Sequence, residues 1–157
     1  MSRGPGPGTC CLPSSTDTAI PGWPLISRLE FGPYVSAVPC ARLHTRLVLR
    51  EWQQISLVDT AELVACELVT NAITATRAIG SVCPVRLRLA SDGSRTLVLV
   101  GDASPDPPQR IDPAGDTEGG RGLLLVEALS SGWGWYATRQ SGTTKVVWAE
   151  LRESGAA

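Results

Sequence analysis

Apolar side chains recur along this chain with two different periods. Between Asp59 and Thr76 the stretch "DTAELVACELVTNAITAT" places Val64, Leu68, Ala72 and Ala75 three or four residues apart. That is the period of a helix burying one face. Asp59 reads as its N-cap, with Glu62 three residues on as in a capping box. An earlier helix is expected over Ala37–Trp52, where Val38, Ala41, Leu43, Val48, Leu49 and Trp52 are apolar. Pro39 fits such a helix only in its first turn. "VRLRLAS", from Val85 to Ser91, alternates apolar and basic residues, the pattern of a strand with one solvated face. Asp92-Gly93-Ser94 is a hairpin turn signal. "RTLVLVGDA" is the return strand, and its run Leu97–Val100 suits a central, buried position. "GLLLVEAL" after Arg121 predicts a short apolar helix, and residues 132–139 and 143–152 predict a closing hairpin around "QSG". A further short strand fits Ile26–Phe31. The order strand, helix, helix, strand, strand, helix, strand, strand predicts an α+β two-layer sandwich with its helices on one sheet face.

Two segments fall outside this pattern. Residues 1–24 hold "GPGPG", several serines and threonines, and Pro13, Pro21 and Pro24. This composition buries too little apolar surface to order a chain, so a disordered tail is expected there. The domain is expected over residues 25–152, with a C-terminal tail at 153–157. Residues 103–120 are rich in Pro, Asp and Gly and read as one long loop, a length commonly tied to function or disorder.

Charge and composition narrow the function classes. The 157 residues carry a formal net charge of −1, so no basic field advertises direct binding to nucleic acid or to an anionic membrane. No apolar run is long enough for a transmembrane helix, and no signal-peptide core follows Arg3; a cytoplasmic protein is expected. The five cysteines show no C-x-x-C spacing, which argues against zinc and makes free thiols the default. His44 is the sole histidine, expected on a helix surface.

Against this background three polar features stand out. Glu67 and Asn71, four residues apart, lie at the edge of the apolar stripe of their helix, one above the other. Asp102 ends a buried strand. Gly120-Arg121-Gly122 opens a helix, whose N-terminus offers unpaired N–H groups and positive dipole charge to a phosphate. Each has an ordinary structural reading as well: a satisfied polar pair, a strand end, a tight turn. In the chemical reading, the Asn carbonyl is a hard ligand for Mg²⁺. Glu67 is a general base, and Asp102 accepts a hydrogen bond from the exocyclic amine of a base. Neither a Walker loop nor a Rossmann fingerprint is present.

"ELVTNA", "GDASPD" and "GGRGLLLV", in this order and spacing, resemble the three boxes of the GHKL ATPase superfamily of gyrase, histidine kinases and related chaperones. The short chain and its ending "GRGLLLVEAL…WGW…KVVWAEL" are similar to the bacterial anti-sigma-factor serine/threonine kinases. The resemblance implies a mixed, mostly antiparallel sheet covered by three helices, ATP and Mg²⁺ as cofactors, Glu67 as base and Asn71 as metal ligand. It also implies Asp102 as adenine reader, with Ser104, Gly120, Arg121, Gly122, Leu123 and Thr144 (or its neighbour Thr143) around the nucleotide. Its implied partner is a small protein that competes with a sigma factor, or the sigma factor itself, and it allows a homodimer. Ser104 and Asp106 stand where the family's second box has glycines. The alternative is therefore a module that holds a partner without transferring phosphate. Trp133 and Trp135 share strand parity and read as core or dimer contacts.

Overall fold

The computed structural model describes residues 20–108 and 121–153. Most of the expected N-terminal tail, most of the loop after Pro108, Gly119 and Gly120, and the last four residues lie outside them. After a turn that pairs Ile20 with Trp23, the elements are β1 (Leu25–Phe31), α1 (Val38–Glu51), α2 (Val58–Ala78), β2 (Val85–Ser91), β3 (Arg95–Asp102), α3 (Arg121–Leu129), β4 (Gly132–Ala137) and β5 (Lys145–Arg152). All eight elements expected from the sequence are present.

The strands form one sheet in the order β1-β2-β3-β5-β4. Every pairing is antiparallel, so the expected mixed sheet is in fact uniform. Among the described residues the only strand neighbours that are not consecutive are β3 and β5, and the β4–β5 hairpin folds back to let β5 pair beside β3. Strand parity sorts the side chains. Leu87 and Leu89, Val98 and Val100, and Val147, Ala149 and Leu151 all fall on one side, within a single buried cluster with the helices. The other side carries Arg86, which pairs with Glu30 at 3.0 Å, and Arg95, which pairs with Asp92 and Glu150 and stacks over the Trp23 ring. That is the apolar/basic alternation of β2 in three dimensions.

The central element is α2, 21 residues long, with Ala61, Val64, Ala65, Leu68, Val69, Ala72 and Ile73 buried. It is capped differently from the expectation. The N-cap is Leu57, without a side-chain cap bond, and Asp59 lies inside the first turn, where its charge still favours the helix dipole. Glu62 closes no capping box. It is 5% exposed and reaches α1, where Arg46 donates to it and Arg42 lies 3.8 Å away. Just past α1 and its C-cap Trp52 comes Gln53, whose φ of 59° is the only positive value for a non-glycine among the described residues. Asp92 accepts the N–H groups of Arg95 and Ser94 at the hairpin turn. These bonds and the Arg95 guanidinium hold its carboxyl well below the usual carboxylate range. Cys40 and Cys66 are free, whereas Cys83 is disulfide-bonded, against the expectation of free thiols.

His44 is half-buried rather than on an open surface, with Nε2 3.0 Å from Ser27 Oγ across the α1–β1 contact. Burial lowers its pKa from the ordinary imidazole value. The folded state therefore favours the neutral ring. Its contribution to stability is present above about pH 6.5 and is lost as pH falls and the unfolded chain takes up the proton. Urea unfolding of wild type and His44→Gln at several pH values between 7 and 5 should show a loss of stability in wild type that the variant lacks. Parallel curves would mean that the ring titrates alike in both states.

Candidate functional site

A cavity of about 300 Å³ opens between α2, the C-terminal end of β3, the start of α3 and β5. Its volume sits at the lower bound of small-molecule sites. The α2 wall contributes Leu68, Asn71, Ala72 and Ala75, and β5 contributes Lys145 and Val147. The floor is largely apolar because Leu68, Leu123 and Val147 belong to the domain core. The polar groups gather at the edges: Asn71 on α2, and Asp102 and Ser104 at the end of β3.

Glu67 lies one turn before Asn71, half-buried, beside this cavity. The start of α3 crosses directly over the pair. A methyl group placed on Gly122 would come within 2.6 Å of Glu67 Oε2, 3.5 Å of Asn71 Nδ2 and 3.6 Å of Asn71 Oδ1. Glycine is needed here for close approach, with nothing but backbone between the first-turn amides of α3 and the polar edge of α2. Those amides carry the positive end of the helix dipole. An amide oxygen and a helix N-terminus, suited to a hard cation and a phosphate chain, thus converge beside a carboxylate that can accept a proton.

Asp102 is 1% exposed. Its Oδ1 accepts the Ser104 N–H at 2.8 Å and lies 3.5 Å from Lys145 Nζ. Burial raises its pKa, against the opposing pull of Lys145 and the Ser104 N–H. Ser104 Oγ in turn accepts the Asp106 N–H. Neither Ser104 nor Asp106 has a positive φ, so side chains are accommodated at these positions without backbone strain.

The structure brings together Asn71, Asp102, Ser104 and Leu123 as cavity lining, with Glu67 and Gly122 in contact at its edge. Arg121 is the first residue of α3, and Gly120 lies outside the described residues. Thr144 is not part of the lining. Its N–H donates to the Asp102 carbonyl and its hydroxyl to the Ala103 carbonyl, so it ties β5 to the end of β3. Thr143 packs on Gly101. The polar β5 residue that lines the cavity is Lys145, 3% exposed, which sequence reasoning passed over. Its signal was parity: 145, 147, 149 and 151 all fall on the buried side of one strand. Trp133 packs partly buried against the core, while Trp135 is 42% exposed.

A two-layer domain with an antiparallel sheet, a helix carrying Glu and Asn one turn apart, and a helix with Gly122 in its first turn above them is the architecture of an ATP-binding module. The family model for the histidine kinase-like ATPase domain matches residues 37–149, and the chain belongs to that family. No curated protein matches it. Among the described residues no helix is long and apolar enough to cross a membrane.

Gly122→Ala tests the crossing of α3 over α2. The added methyl meets the far end of a flexible glutamate, so the cost is a rotamer change of about 0.5–1.5 kcal/mol, offset by the better helix propensity of Ala. Stability should stay close to wild type. ATP binding, followed by calorimetry, should weaken, because the displaced carboxylate and the methyl occupy the space between Asn71 and the α3 amides. Unchanged ATP affinity would place the phosphates elsewhere.

Proposed function

We propose that this ATP-binding domain is a protein serine/threonine kinase that modifies a small regulatory protein and thereby controls a sigma factor. The observation that carries the reading is the contact of Glu67 with the glycine-led start of α3, beside a cavity lined by Asn71 and Asp102. Asp102 holds the base end of the nucleotide, and Gly122 with the first-turn amides of α3 holds the phosphates. Asn71 offers its amide oxygen to Mg²⁺. Among the described residues no group of three His, Cys, Asp or Glu side chains gathers around a common point. Mg²⁺ is commonly held chiefly through substrate phosphates and one or two protein oxygens. ATP, when bound, supplies the phosphoryl group. Glu67 takes the proton of the incoming serine or threonine hydroxyl, at the edge of the site where a partner chain can enter.

A second reading, a module that binds its partner without phosphoryl transfer, draws on a different observation. Pro107 and Pro108 line the cavity beside Ser104 and Asp106, and with Pro105 between those two in the chain they stiffen a segment that a lid would have to move. The partner proteins, the cytoplasmic setting and a homodimer belong to the same proposal.

Glu67→Gln separates the two. A general base contributes typically 10²–10⁴-fold to rate, whereas Glu67 is not needed to hold the base or the phosphates. The variant should bind ATP like wild type and transfer radiolabelled phosphate to a cognate partner slower by about that factor. If wild type transfers nothing to a partner it binds, the sequestering module stands. Asn71→Ala should lose the Mg²⁺ dependence of ATP binding seen by titration with and without EDTA. Equal wild-type affinity in EDTA would remove Asn71 as a ligand.

A further inference from the structure

Asp102 and Lys145 sit directly opposite each other in the β3–β5 register, on the side of the sheet that faces the helices. Both line the cavity. The lysine is buried, and its ammonium is shared between Asp102 Oδ1 at 3.5 Å and the Asp106 carbonyl, to which it donates. An ammonium carries three N–H donors. Among the described residues these contacts use two of them. Asp102 Oδ1 takes both the lysine and the Ser104 N–H, and Oδ2 takes neither. One end of a largely apolar cavity therefore presents a charged donor next to a charged acceptor.

The pairing has no need of the lysine for packing alone, since an apolar residue of similar volume would fill the same space at less desolvation cost. A free donor beside a free acceptor matches a ligand edge with the opposite order. Adenine has such an edge on either side of its exocyclic amine, which donates, because the flanking ring nitrogens N1 and N7 both accept. We propose that Lys145 is a base-reading residue, donating its third N–H to a ring nitrogen of adenine beside the amine that Asp102 accepts. This rests on the ATP-site reading and adds to it the group that recognises the ring. Asp102 alone would accept any amine placed at the cavity end. With Lys145 the site requires an acceptor next to that amine, and it discriminates against rings that lack one.

Nucleotide analogues test this on the full chain. Wild type is titrated calorimetrically with ATP, 1-deaza-ATP and 7-deaza-ATP, each lacking one ring acceptor. A hydrogen bond from a charged donor to a ring nitrogen predicts that one of the two analogues binds weaker than ATP by on the order of 10–100-fold. The analogue that loses affinity identifies the nitrogen. Lys145→Met, checked for folding by thermal melting, should reduce that ratio to within about twofold while still binding both ligands. A lysine that only neutralises Asp102 gives the same ratio in wild type and variant. Equal binding of all three nucleotides by wild type overturns the inference and leaves the ATP site in place, and that measurement needs no variant to fold. Failure of wild type to bind any of the three overturns the inference and the site together.

Discussion

The packing of α2 against the centre of the sheet is the constraint on which the rest of this domain depends. Its 21 residues run between α1 and α3 and across β3, and Val64, Leu68, Val69 and Ile73 are essentially removed from water. Burial of such side chains is worth about 1.5–3 kcal/mol each, more than the local helix propensity of a sequence with six β-branched residues between Val64 and Thr76 can supply. The helix is therefore held by tertiary burial, in a fixed rotational setting about its axis. That setting leaves Glu67 and Asn71 at the boundary between core and cavity, where neither is fully wet nor fully buried.

The cavity follows from the same setting. Small residues Ala72 and Ala75 on α2 and the end of β3 leave a gap that no large side chain fills. Gly122 lets α3 lie against the Glu67 carboxylate, so the N-terminal end of a helix and a carboxylate meet beside the cavity. At the other end Asp102 and Lys145 form a buried pair of opposite charges. Pairing of this kind is weak evidence of stability because desolvation of two charges offsets much of their attraction. Its place at the end of an apolar cavity is better explained by recognition than by folding.

The periodicities of the chain were enough to place the three helices and five strands, though not the single 3-10 turns at Val35–Ala37 and Ile55–Leu57, because these helices and strands are amphipathic against a single core and each element's period is set by its one buried face. The triad of motifs carried the family, since Glu67, Asn71, Asp102 and Gly122 are local features whose spacing along helix and strand ends survives in one dimension. Capping was read less well. Asp59 and Glu62 have capping-box spacing, but Glu62 is drawn to Arg46 and Arg42 on a neighbouring helix, a competition that local sequence does not contain.

What the sequence by itself determined was the alternation of elements, the two-layer class and the motifs on α2, β3 and α3 that carry the family. What only the tertiary structure decided was which residues share the cavity. The uniform antiparallel sheet arises because β5 inserts beside β3, and that pairing alone puts Lys145 opposite Asp102 while turning Thr144 to the strand-end carbonyls. The physical reason is register. A strand's side chains alternate with period two, so a shift of one residue exchanges the lysine for the threonine at the cavity, and the register is set by long-range pairing of segments more than 40 residues apart.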